Sequence, residues 1–168
     1  MHVPDYYHAG YTGSIIKTSV LREKIRQAMK ILRPMADQFE GIAFRGASGM
    51  FPGPILALRL RKSIILVRKG EETHSTYPVE GDRAVKSYII VDDQIATGST
   101  IEAIMHGVRS FAAIGNKPRL LGVLLTGSGE DSKVHFRTPD YREVSDAIEK
   151  VYGQMPEGWI DEVKANSF

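Results

Sequence analysis

Four short apolar runs punctuate the chain: Gly41-Ile42-Ala43-Phe44, Ile64-Ile65-Leu66-Val67, Tyr88-Ile89-Ile90-Val91 and Leu120-Leu121-Gly122-Val123-Leu124-Leu125. Hydrophobicity that is continuous rather than alternating over so few residues predicts strands covered on both faces, as in a parallel sheet. Between the runs the period changes. Ile101, Ile104, Met105, Val108, Phe111 and Ala112 recur at helical spacing, as do Leu21, Ile25, Ala28, Met29 and Leu32. Thr18 or Ser19 is expected to cap the earlier of these helices, and Pro34 to break or kink it. A further helix is expected to begin near Pro52 to Pro54. Another is expected over Asp140 to Tyr152, with Val144, Ala147, Ile148 and Val151 on one face. Gly115-Asn116-Lys117-Pro118 reads as a turn and Ser128-Gly129-Glu130-Asp131-Ser132 as a polar loop. Alternating strands and helices predict an α/β fold, a doubly wound, mostly parallel sheet with helices on both faces. With no internal repeat, low-complexity tract or linker in view, residues 1–168 are expected to form a single domain.

The chemistry gathers where strands end. Asp92 and Asp93 follow the Tyr88–Val91 run, at the carboxyl end where open α/β sheets place ligands. Ala96, Thr97, Gly98, Ser99 and Thr100 then lie at the start of the next helix, where free backbone N–H groups and the helix dipole attract an anion. Gly98 permits close backbone approach, and Thr97, Ser99 and Thr100 add hydroxyl donors. Carboxylates repel phosphate but accept hydrogen bonds from hydroxyls. A ligand with a phosphate at one end and vicinal hydroxyls a few ångströms away satisfies both halves, and a ribose 5-phosphate has that layout. Arg45-Gly46-Ala47-Ser48-Gly49 forms a second small-residue loop after a strand, whose N–H groups suit another anion, with Arg45 adding charge.

Val91-Asp92-Asp93-Gln94-Ile95-Ala96-Thr97-Gly98-Ser99-Thr100 resembles the phosphoribosyl pyrophosphate signature of the type I phosphoribosyltransferases. The resemblance implies that Asp92 and Asp93 bind the ribose hydroxyls and that residues 96–100 hold the 5′-phosphate. Arg45 to Gly49 resemble the pyrophosphate loop, and their Arg-Gly start is similar to that of the adenine-type enzymes. Arg68-Lys69 followed by Gly70-Glu71-Glu72-Thr73-His74 resembles the lead into the family's mobile catalytic loop, especially in orotate-type members. On that likeness Lys69 and Arg68 neutralise the leaving pyrophosphate, while His74 and Glu71 or Glu72 donate or accept a proton. The implied cofactor is Mg²⁺, carried mainly by the substrate and reached by Asp92 and Asp93 only through it. Hypoxanthine- and guanine-type relatives have an acidic residue where Ala96 stands, so adenine or a related purine is the favoured base. Orotate is the alternative. The other alternative is a non-catalytic regulator that binds phosphoribosyl pyrophosphate or a nucleotide, which the basic stretch Lys17, Arg22, Lys24, Arg26, Lys30 and Arg33 would serve. A hood over the base is expected from the N-terminal segment, with Tyr6, Tyr7 and Tyr11, or from the tail, with Tyr152 and Trp159. A homodimer would match many relatives.

Composition narrows the field without choosing within it. At 168 residues, 42% hydrophobic and 25% charged, the chain suits one packed soluble core. A formal net charge of +2 gives no ground for a nucleic-acid partner. The absence of cysteine excludes disulfides and thiolate metal sites. The first residues lack the pattern of a secretory leader, and no apolar run approaches the ~20 residues of a membrane span. A cytoplasmic protein is therefore expected.

Overall fold

The computed structural model describes residues 14–69, 77–95, 98–127 and 133–137. They form a six-stranded sheet of order β3-β2-β1-β4-β5-β6. Its middle is parallel and matches the four apolar runs: β1 (Gly41–Arg45), β2 (Ser63–Val67), β4 (Ser87–Asp92) and β5 (Arg119–Leu125). Two edge strands of three residues each, β3 (Val79–Gly81) and β6 (His135–Arg137), pair antiparallel with β2 and β5.

Successive residues along a strand point their side chains to opposite faces, so each run feeds two cores. On one face Ala43, Ile65, Val67, Tyr88, Ile90 and Val123 pack under helix α4 (Ser99–Phe111), whose stripe Ile101, Ile104, Met105 and Val108 is the one its spacing predicts. On the other face Ile42, Phe44, Ile89, Val91 and Leu124 pack against α1 (Thr18–Leu32) and α3 (Pro52–Leu60). An irregularity between Tyr88 and Ile89 leaves Leu121 as an extra residue in β5. It flips the alternation, so that Leu120 and Val123 serve the same core. Gly107 lets α4 sit close on the sheet, because a Cβ there would stand 3.1 Å from methyls of both Val67 and Val79.

Helix α1 begins one residue earlier than a Thr18 cap requires and two earlier than a Ser19 cap requires. Lys17, in extended conformation, takes the N-cap position, and its carbonyl accepts the Leu21 N–H at 3.0 Å. Thr18 is already helical. After Leu32 the chain does not simply stop at Pro34 but tightens into a 3₁₀ turn, Arg33–Gln38, with the proline in its first turn. The segment read as a loop after β1 is a one-turn helix, α2 (Gly46–Met50). The expected helix over Asp140 to Tyr152, the loop at 128–132, and Tyr6, Tyr7, Tyr11, Tyr152 and Trp159 lie outside the described residues. Among the described residues no helix is long and apolar enough to cross a membrane.

The strand order reverses between β1 and β4. From β1 the chain moves outward to β2, and from β4 it moves the other way to β5. The connections after β1 and β4 therefore leave on opposite faces and open a crevice between them at the carboxyl rim, the switch point where such sheets bind ligands.

Candidate active site

Both loops expected to bind a donor flank that crevice. The first starts at Arg45, whose extended backbone precedes Gly46 at φ 68°. Gly46 has a steric reason as well as a conformational one. A Cβ there would stand 2.6 Å from Cε and 2.9 Å from Nζ of Lys69, so the lysine side chain lies directly over the loop. Gly49 is pressed still harder. Its Cβ position is 2.4 Å from Cβ of Phe44 and 2.6 Å from the Val91 carbonyl oxygen. Helix α2 thus rests its backbone on the last residues of β4. Arg45 donates from Nε to the Arg68 carbonyl at 3.2 Å, which fixes the ends of β1 and β2 side by side.

The second loop carries the acidic pair. Asp92 is only 3% exposed, and its Oδ1 accepts hydrogen bonds from Ser48 Oγ at 2.7 Å and from the Asp93 N–H at 2.9 Å. Burial pushes its carboxyl up to about 6, the Asp93 charge adds to the rise, and the Ser48 and Asp93 hydrogen bonds oppose it. Asp93 is half-buried and accepts from the Gln94 N–H at 2.9 Å. Behind the pair, the ladder between β4 and β5 runs on. The Thr126 N–H donates to the Asp92 carbonyl at 2.9 Å, its Oγ1 to the same oxygen at 3.2 Å, and the Gly127 N–H to the Asp93 carbonyl at 2.8 Å. Gly98, left-handed at φ 78°, takes the N-cap position of α4, with Ser99 exposed and Thr100 half-buried in the first turn. That first turn presents the N–H groups and dipole end at which helices favour anions.

Two regions are thus brought together by direct contact: Ser48 of one loop with Asp92 of the other, and Lys69 with Gly46. Arg68 does something else with its charge. Its guanidinium donates to Glu80 Oε1 across the β2–β3 pairing, with Nε at 2.9 Å. Ala96, Thr97, Glu71, Glu72 and His74 lie outside the described residues. Sequence reasoning took Ser48 for its backbone N–H only and passed over Thr126 and Glu80. Thr126-Gly127 did carry a signal, small polar residues at a strand's carboxyl end, like the other two loops. Beside the site a cleft of about 670 Å³ runs along α4, lined among others by Arg45, Arg68, Tyr77, Ser99, Glu102 and His106. Among the described residues no group of three or more His, Asp or Glu could hold a metal ion. Asp92 and Asp93 alone suit a hard cation brought in by a ligand rather than a resident one.

Solved structures that superpose on this chain include phosphoribosyltransferases. Orotate phosphoribosyltransferase from Aeropyrum pernix superposes with a TM-score of 0.51 at 21% identity, over 66% of this chain and 59% of that one. Adenine phosphoribosyltransferase from Saccharomyces cerevisiae, in complex with an imino-altritol bisphosphate and adenine, gives 0.51 at 25% identity over 65% of this chain and 68% of that one. The protein has the type I phosphoribosyltransferase fold. UMP synthase from Leishmania donovani also matches this fold, with a TM-score of 0.51 at 18% identity, over 65% of this chain and 22% of that one. No family model and no curated protein matches the sequence. Within the phosphoribosyltransferase fold, the crevice between the loops after β1 and β4 is the candidate site.

Proposed function

We propose that the protein is a nucleobase phosphoribosyltransferase. It transfers the 5-phosphoribosyl group of phosphoribosyl pyrophosphate to a ring nitrogen of a base and releases pyrophosphate. The observation that carries this reading is the meeting of an acidic pair and a small-residue anion loop at the switch point, joined by the 2.7 Å bond from Ser48 to Asp92. A site for phosphate alone needs no buried carboxylate. A site for sugar hydroxyls alone needs no pair of amide-rich turns.

In this reaction the bond from the anomeric carbon to the pyrophosphate oxygen breaks as the bond to the base nitrogen forms, and the sugar becomes cation-like between them. Asp92 and Asp93 accept the ribose hydroxyls and place negative charge near that sugar. The first turn of α4 holds the 5′-phosphate, and the N–H groups from Gly46 to Gly49 hold the pyrophosphate. Lys69, lying over Gly46, supplies the cation beside the leaving group, with Arg45 at the start of the loop. Mg²⁺ fits as a partner of the donor's own oxygens, and when bound it offsets the charge of the departing pyrophosphate. His74 and Glu71 are assigned the proton transfers.

Adenine or a related purine is the favoured base. The Arg45-Gly46 start, the neutral Ala96, and 25% identity to a yeast enzyme that holds adenine support it. Orotate is the alternative, supported by the His74-bearing stretch. Cytoplasmic purine salvage, by a homodimer, is the setting that goes with this reading.

Pyrophosphate release should depend on one base from a panel of purines and pyrimidines. It should fall at least about 100-fold in the Asp92→Asn, Asp93→Asn double variant, with the melting transition kept. If the wild-type protein consumes none of the bases, the reading fails. One observation favours the regulator instead: a groove of about 510 Å³ between α1 and α3 lined by Arg22, Arg26, Lys30, Arg33 and Arg59. Only Arg26 of these has an ion pair among the described residues, with Glu23. A regulator acting on nucleic acid would bind it with strong salt dependence, and no binding at low salt removes that reading.

A further inference from the structure

The two halves of the site touch through a side chain that neither half needs for its own ligand. Ser48 belongs to α2, Asp92 ends β4, and the residues stand 44 apart in sequence. We propose that Ser48 is a positioning residue: its hydroxyl ties the pyrophosphate loop to the ribose-binding carboxylate and presents Asp92 to the donor in one rotamer and in its charged form. What the two loops bind rests on the phosphoribosyltransferase reading. What Ser48 does to Asp92 rests on the geometry.

The approach of the two residues is built in rather than incidental. A five-residue helix with glycine at two positions has little stability of its own. It is docked through Gly49, whose contacts with Phe44 and the Val91 carbonyl set the distance from α2 to the residue just before Asp92. Among the described residues both donors to the Asp92 side chain, Ser48 Oγ and the Asp93 N–H, go to Oδ1. Thr126 holds the Asp92 backbone from the other side, so the side chain is clamped between the end of β5 and α2.

The clamp has an electrostatic role because the carboxylate is buried. The charged group whose field acts on it is Asp93, on its own loop. Neither α2 nor the end of β5 offers an ionisable group. Burial first, then Asp93, favours the neutral acid, and the Ser48 hydroxyl favours the anion. A neutral Asp92 would lose its strongest acceptor for a sugar hydroxyl.

The test is a ¹³C-carboxyl NMR titration of Asp92 in the ligand-free wild-type protein, Ser48→Ala and Ser48→Thr. In Ser48→Ala the midpoint is expected to move up by about one unit, the worth of one hydrogen bond to a charged group. Ser48→Thr, which keeps the hydroxyl, should return it. Calorimetry with phosphoribosyl pyrophosphate and Mg²⁺ should then show Ser48→Ala losing about fivefold more affinity at pH 6 than at pH 8.5. An unmoved midpoint, or an affinity loss equal at every pH, overturns the proposal and leaves Ser48 as packing only. If the wild-type protein takes up no donor, the phosphoribosyltransferase reading falls, while the carboxyl titration still decides the role of Ser48.

Discussion

Two aspartates at opposite rims of the sheet are treated in opposite ways. At the amino rim Asp82 accepts the Ala84 N–H and the Ser63 hydroxyl, both at 2.9 Å, and these bonds hold its carboxyl below the ordinary range. Its neighbours are equally occupied. Glu40 accepts the Lys86 N–H at 2.7 Å, and the Asn116 amide donates to the carbonyls of Arg83 and Val85 at 3.1 and 2.8 Å. At the carboxyl rim Asp92 is driven under the surface, and its carboxyl rises to about 6. The amino rim uses polar groups to finish turns. The carboxyl rim holds a charge where the fold alone would not keep one, which is the mark of a site shaped for a ligand.

The sharpest way to break the contrast is to disturb the packing that brings the carboxyl-rim loops together. Gly49→Ala forces a methyl to 2.4 Å from Phe44 Cβ and 2.6 Å from a backbone oxygen, neither of which can swing away. A loss of up to about 3 kcal/mol in denaturant melts is expected, with donor binding weakened in whatever remains folded. Unchanged stability would mean that α2 is not seated on β4 as described.

Next comes the buried carboxylate. Because the folded pKa of Asp92 is raised, its contribution to stability is whole below the unfolded value of about 4 and is lost as pH rises through about 6. Asp92→Asn should match the wild type near pH 4 and exceed it above pH 6 by about 3 kcal/mol, while donor binding is lost. Equal stability at both pH values would remove the claimed strain. Asp82→Asn should show the reverse sign and a smaller size. With its folded pKa lowered, Asp82 contributes above about pH 4 and stops contributing as pH falls through its folded value. That carboxylate is nearly all in solvent, so the variant should lose under about 1 kcal/mol at neutral pH, and the loss should shrink as pH falls below about 4. A larger loss would show that the amino rim is strained too.

The four central strands and the faces of α1 and α4 were legible because a run of buried β-branched residues and a helical stripe are local patterns. The acidic pair and the start of α4 were legible for the same reason, sitting next to one another in the chain. What was hidden depends on distant partners. A three-residue strand such as Val79–Gly81 shows no period, and its place comes from pairing with Ile65 to Val67. Gly46 to Met50 has the composition of a loop, and its helical turn is imposed by Phe44 and the end of β4. Neither the depth of Asp92 nor its bond to Ser48 can be read from the acidic pair itself. Arg68 looked free for an anion because Glu80 is brought to it only by the β2–β3 register.

The outermost strands hold one more consequence. A parallel sheet ending in a long bare margin invites another chain to add on, backbone to backbone. Here each described margin is an antiparallel strand only three residues long, β3 on one side and β6 on the other. So short a template gives an added strand few hydrogen bonds to gain, and among the described residues the broader surfaces open to a second copy are those of helices and loops.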